Sequence, residues 1–172
     1  MYQRVLAPID GSPTSDLGLE EAIALARLTG GSIRLVHILD ELVFVTGFEP
    51  GATYTNIVLP RLRQRSERIL AAGRERVAAA AVAVETMTIE SFARRPSDVI
   101  VEQAALWPAD VIVIGTHGRR GVDRMVLGSD AEQVVRMAAV PVLLVRPAEP
   151  AARRPGVVAP EAVTASVSPA TV

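Results

Sequence analysis

"DVIVIGTHGRRGVDRMVLGSDAEQ", residues 110–133, decides the fold. Its opening, 110–115, reads as a strand whose two alternating sets, Val111/Val113 and Ile112/Ile114, are both apolar. Such a strand belongs inside a parallel sheet with helices on both faces. Gly115, Gly118 and Gly128 then interrupt the pattern, and Ser129 opens a helix that runs to about Ala138. Ser129 and Glu132 have the spacing of a capping box, in which each side chain satisfies the other's backbone N–H. That pairing explains Ser129 and Glu132 but not the glycines, which let a backbone approach a ligand closely or take a positive φ. A helix N-terminus offers free N–H groups and a partial positive charge. Strand, glycine loop and helix start, in that order, therefore mark a candidate anion site.

Outward from this stretch, strands alternate with helices. "RVLAPI" (4–9) reads as a buried strand stopped by "DGSP". Ser12 is placed to cap the next helix and Pro13 to occupy its first position, where a missing N–H is harmless. Leu19, Ala22, Ile23 and Ala26 recur at helical spacing until Gly30-Gly31. "SIRLVHIL" (32–39) is a second strand. Residues 40–60 carry Phe44, Phe48 and Tyr54 among Gly and Pro and read as a long ordered loop, either functional, as loops of this length often are, or an irregular cover over the core. A helix over about 58–81 turns Leu62, Ile69, Gly73 and Val77 inward, and its many arginines read as a solvated face. "AVAVETMTI" (81–89) is a third strand, Pro96 to about Leu106 a helix closed by Trp107-Pro108, and "VPVLLV" (140–145) a fifth strand. From Arg146 the chain turns Pro/Ala/Val-rich without amphipathic period, so 147–172 is expected to be a disordered Pro/Ala-rich tail.

The whole predicts one α/β domain with a five-stranded parallel sheet, doubly wound with helices on both faces. In such folds a ligand sits beyond the carboxyl ends of the strands, where strand order reverses. The residues to watch therefore follow the first and fourth strands: Asp10-Gly11-Ser12, and Gly115 to Ser129.

Composition narrows the chemistry. The chain has 172 residues, 49% of them hydrophobic, with a net charge of −1, so neither disorder throughout nor a bulk electrostatic pull toward nucleic acid or membrane is expected. All 18 basic residues are arginine, which excludes a P-loop with its phosphate-binding lysine. Cysteine is absent, which excludes disulfides, thiolate nucleophiles and cysteine zinc sites. The apolar run before Asp10 is short for a signal peptide, and no segment approaches the roughly 18–20 apolar residues that span a bilayer. A cytoplasmic protein is expected.

The loop is not G-x-G-x-x-G, which disfavours a Rossmann dinucleotide site. "PIDGS" has Pro8 where a phosphatase nucleophile loop needs a second acid, which disfavours phosphoryl transfer to Asp10. His37, mid-strand, reads as a packed core residue and His117 as a loop contact. Arg119, Arg120 and Arg124 are either donors that close over phosphates or a solvated cluster. No metal-ligand cluster is visible.

The spacing Gly115-x2-Gly118-x9-Gly128-Ser129 resembles the ATP-binding signature of the universal stress protein family. The resemblance extends to "VLAPIDGS", "LVHILDE" and "VPVLLVR" and covers about residues 1–146. It implies a sheet of strand order 3-2-1-4-5 and a nucleotide site. There Pro8 and Ile9 line the pocket, and Asp10 meets the ribose or the metal-phosphate end. Ile38 contacts adenine, while Ile114 and Gly115 flank the nucleoside. Gly118, Gly128 and Ser129, with the N–H groups of Asp130 and Ala131, wrap the phosphates. Mg²⁺ would come with the nucleotide, held mainly by its phosphates. Two departures stand out: Ala131 sits where some members have a hydroxyl, and Asp130 sets a carboxylate beside the phosphate seat. The last strand, apolar and at a sheet edge, needs cover. The resemblance supplies a homodimer joined through Val140 to Val145.

The function expected is a cytoplasmic stress-response protein, not an enzyme, with ATP as a regulatory ligand of the dimer and no nucleic-acid or membrane partner. The alternatives are a nucleotide-free dimeric interaction protein and a slow ATPase.

Overall fold

A computed structural model describes residues 1–40, 54–91, 94–116 and 127–147. In chain order the elements are β1 Arg4–Pro8, α1 Pro13–Thr29, β2 Ser32–Asp40, a single π-helical turn Tyr54–Val58 leading into α2 Leu59–Ala79, β3 Ala83–Ser91, α3 Pro96–Leu106, β4 Val111–Gly115, α4 Ser129–Met137 and β5 Val142–Val145. The strands form one sheet in the order β3-β2-β1-β4-β5, and every pairing is parallel. Strand order reverses between β1 and β4, which pair directly through Val5 with Val111 and Leu6 with Ile112.

The apolar alternation of the strands feeds two cores. On one face Val5, Ala7, Ile9, Ile33, Leu35, Val111 and Val113 pack with Leu19, Ala22, Ile23 and Ala26 of α1 and Leu70 and Val77 of α2. On the other, Leu6, Val36, Ile112 and Ile114 pack with Ile100 and Ala104 of α3 and Ala131 and Val134 of α4. All five residues of β4 are buried, as a strand covered on both sides requires. Below β1, the Asp110 carboxylate accepts the N–H groups of Gln3 at 2.7 Å and Arg4 at 2.9 Å, which ties the entries of β1 and β4 together.

Several boundaries differ from expectation for local reasons. The Ser12 cap and the Pro13 start of α1 are as expected: the Ser12 hydroxyl accepts the Ser15 N–H at 3.2 Å. β3 begins at Ala83 because Ala81 takes φ 57 in a turn that ends the preceding helix. β5 begins at Val142, not Val140; Pro141 lacks an N–H and contributes only its carbonyl, to Ile112 N–H at 3.0 Å. The inward face of α2 is Leu62, Ser66, Leu70, Gly73 and Val77, with Ile69 half-buried beside it. Of the expected 40–60 loop, residue 40 closes β2 and 54–60 are helical; 41–53 lie outside the described residues. So does the expected tail from 148 onward.

Arginines of α2 meet carboxylates of neighbouring elements. Arg76 reaches Asp16 and Glu20 of α1, and Arg63 forks onto Glu90 of β3 at 2.6 and 2.9 Å. Those carboxylates help hold α2 in place over the sheet. The flanking acids pull the Arg76 guanidinium above its ordinary pKa, against a loss of hydration from partial burial.

Candidate functional site at the exits of β1 and β4

The exit of β1 is a tightly bonded turn. Ile9 N–H continues the ladder to Val36 carbonyl at 2.9 Å, and the Ile9 carbonyl meets His37 Nδ1 at 2.6 Å. A carbonyl can only accept, so Nδ1 carries the proton. His37 is 2% exposed, a core residue as expected, and it braces the chain just before Asp10. The next residues fold back on themselves. Asp10 Oδ1 accepts Ser12 N–H at 2.9 Å, and Asp10 N–H points to Ser15 Oγ at 3.4 Å. Ser15 Oγ in turn donates to the Ser12 carbonyl at 3.0 Å. Gly11, at φ 76, makes this reversal in a conformation that a side chain would strain. The half-buried Asp10 carboxylate thus has a structural duty at the mouth of the sheet.

The exit of β4 is packed against α1. A side chain at Gly115 would begin 2.6 Å from the Thr14 carbonyl oxygen, so glycine here admits the first turn of α1. Thr116 follows, 3% exposed. Its N–H donates to Val145 carbonyl at 2.8 Å, and its own carbonyl accepts Gly128 N–H at 2.8 Å. The chain that leaves at Thr116 therefore returns beside it at Gly128. Sequence reasoning missed Thr116. No local signal marks it, because its importance lies in bonds to Val145 and Gly128, both distant in sequence.

The expected capping box is not formed. Gly128, at φ −61 and ψ 143, is the N-cap of α4, and no side chain caps the helix. Ser129 is already helical, one residue too late to serve, and is exposed. Glu132 turns instead to Arg136 at 2.8 Å, while its N–H makes the first helical bond to Gly128 carbonyl. Asp130 is half-buried in the same first turn. Ala131, 4% exposed, points into the core, so only its backbone is available to a ligand.

Of the residues expected to make the site, Ile38, Ile114 and Ala131 share one face of the sheet, and Pro8 joins them by alternation with Leu6. Asp10, Gly115, Gly128, Ser129 and Asp130 border the same switch point. The Ile9 side chain does not: it packs on the opposite face with α1 and α2. Both alternating sets of β1 are apolar, which hid this division. His117, Gly118, Arg119, Arg120 and Arg124 lie outside the described residues. Among the described residues no group of His, Asp and Glu could hold a metal by itself, and no helix is long and apolar enough to cross a membrane.

The arrangement suits an elongated ligand with an apolar end and an anionic end. Ile38 and Pro8, both half-buried, offer apolar surface backed by the buried Ile114, the Asp10 turn offers a hydrogen-bonding carboxylate, and the first turn of α4 offers N–H groups.

Residues 1–146 match the universal stress protein family. Universal stress protein MJ0531 of Methanocaldococcus jannaschii is 30% identical over 146 residues, covering 85% of this chain and 83% of the relative. The solved structure of MJ0577 from the same organism superposes with a TM-score of 0.75 at 23% identity, over 87% of this chain and 99% of that one, a likeness of fold. A universal stress protein solved in complex with cAMP matches with a TM-score of 0.59 at 25% identity, over 84% of this chain and 97% of that one.

Proposed function

The chain belongs to the universal stress protein family, and from that premise we propose that it is a cytoplasmic stress-response homodimer that binds an adenine nucleotide, Mg-ATP foremost, as a regulatory ligand. The observation that carries this reading is the convergence at the switch point. The Asp10-Gly11 turn, the exit of β4 and the N-terminus of α4, which no side chain caps, all follow that switch point. Phosphates take the N–H groups of the first turn of α4, where the macrodipole favours anions. The base lies on the apolar surface of half-buried Ile38, with the buried Ile114 behind it. The relative solved with cAMP supports an adenine nucleotide over other anions. Mg²⁺ would come as a companion of the nucleotide, with phosphate oxygens as its main ligands and the Asp10 carboxylate at the β1 exit beside them.

The role is binding rather than catalysis. His37 spends its Nδ1 proton on the Ile9 carbonyl and is buried away from solvent. The dimer forms across β5, a four-residue strand at the sheet edge on which Leu143 stays 40% exposed. One observation favours the alternative of a nucleotide-free interaction dimer: Asp130 and Glu132 already complement the N-terminal dipole of α4.

Thermal unfolding with and without Mg-ATP decides between them. Ligand at about a hundred times its Kd adds roughly 2.7 kcal/mol, a shift of several degrees for a domain of this size. The shift is expected in the wild type and not in Gly128→Asp, whose backbone angles suit any residue and whose carboxylate occupies the anion seat. An unmoved wild-type transition at millimolar Mg-ATP rejects the nucleotide reading.

A further inference from the structure

We infer that Thr116 is a positioning residue that couples the nucleotide seat to the dimer edge, so that bound nucleotide tightens the dimer. The inference rests on the reading above. Thr116 spends one backbone group on each surface. Its N–H holds Val145, the last residue of β5, and its carbonyl holds Gly128, the N-cap of α4, both at 2.8 Å. Thr116 is 3% exposed and Val145 9%, which shields their bond from water, while Gly128 is half-buried. Pulling Gly128 away would strand a buried carbonyl, which is costly. The helix cap and the strand end therefore move as one body.

β5 is short, and Val142 to Val145 each pair with β4. Val145 turns its carbonyl inward to Thr116, so by alternation Val142 and Leu144 present the backbone groups a second copy would pair with, and fraying at Val145 would release Leu144. A ligand that fixes Gly128 suppresses that fraying through Thr116. Linkage then requires the reciprocal: pairing of β5 tightens nucleotide binding by the same factor.

The test is sedimentation of a dilution series with and without saturating Mg-ATP, alongside nucleotide titration of the wild type and of a Leu143→Asp monomer. The dimer Kd should fall by about fivefold or more with Mg-ATP, within the usual range of coupling between sites. The monomer should bind nucleotide more weakly by that same factor. In Thr116→Gly, which keeps both backbone groups but loosens the bridge, the factor should fall toward one while nucleotide and dimer binding both persist. Amide exchange in the wild type gives an independent readout if that variant does not fold: Mg-ATP should slow the Thr116 N–H together with the Gly128 N–H. Nucleotide binding with an unchanged dimer Kd overturns the coupling and leaves the nucleotide reading intact. Full coupling in folded Thr116→Gly removes Thr116 from the route. A wild type that binds no nucleotide, or never dimerises, rejects the underlying reading and the coupling with it.

Discussion

The Thr14 carbonyl oxygen stands 2.6 Å from the point where a Gly115 side chain would begin, and Thr14 Cγ2 stands at 3.0 Å. The closest obstacle is backbone, held in the first turn of α1 by the Ser12 cap, so it cannot swing aside as a flexible side-chain tip would. Gly115→Ala should therefore force α1 and β4 apart. Overpacking of this kind costs about 1–3 kcal/mol. Urea unfolding should show that loss in the midpoint with an unchanged slope. A stability equal to wild type would mean that α1 shifts freely, and that Gly115 is kept for a ligand rather than for packing.

Asp10 has two duties that one substitution separates. Its Oδ1 accepts the Ser12 N–H at 2.9 Å, and an asparagine oxygen can do the same. Asp10→Asn should remain within about 0.5 kcal/mol of wild type, whereas Asp10→Ala should lose about 1 kcal/mol with the turn. Mg-ATP binding, measured by calorimetry, should weaken in both if the charge serves the ligand. Asp10→Asn with full Mg-ATP affinity would confine Asp10 to the turn.

Much of this architecture is legible in the sequence because the deciding signals are local. β4 announces itself by five consecutive residues fit for burial, and α1 by Ser12-Pro13 before its apolar stripe and Gly30 after it. Signals that depend on distant partners are not legible in the same way. Ala7 and Ile9 form one apolar set of β1, Leu6 and Pro8 the other, and only the placement of the helices tells which set faces the switch point. Thr116 matters through Val145 and Gly128, neither of which adjoins it in sequence. The cap of α4 fails for a finer reason. Ser129 has the right hydroxyl and the right spacing to Glu132, but the chain is already helical at Ser129, so Gly128 takes the cap.

The Arg63–Glu90 pair gives a pH dependence with a definite sign. The Arg63 hydrogen bonds hold the Glu90 carboxyl below its ordinary value of 4.5, against a smaller opposing effect of burial. A carboxyl depressed in the folded state stabilises above its unfolded pKa and loses that contribution as pH falls through the folded value. Arg63→Ala should thus be less stable than wild type at pH 7, and the gap should close as the solution is taken below the carboxylate range. The side chains are 51% and 40% exposed, so solvent screening limits the gap to about 1 kcal/mol or less. Added salt should narrow it further. A gap that persists unchanged at acid pH would assign the Arg63 contribution to packing of its stem over β3.

Asp130 tests how the proposed phosphate seat reads charge. It lies in the first turn of α4, half-buried, with Glu132 two residues on already turned toward Arg136. A carboxylate there stabilises the empty helix end through the macrodipole and opposes an anion arriving at the same N–H groups. Asp130→Asn removes both effects while keeping the shape. The empty protein should lose about 0.3–1 kcal/mol, and Mg-ATP should bind up to about fivefold more tightly as the same energy is returned on binding. Because the effect is electrostatic, it should grow from adenosine to AMP to ATP and shrink with salt. Titration of the three ligands against both proteins reads this directly. An equal gain for adenosine and ATP would place Asp130 beside the nucleoside rather than the phosphates, and no gain for any of them would turn its carboxylate away from the seat altogether.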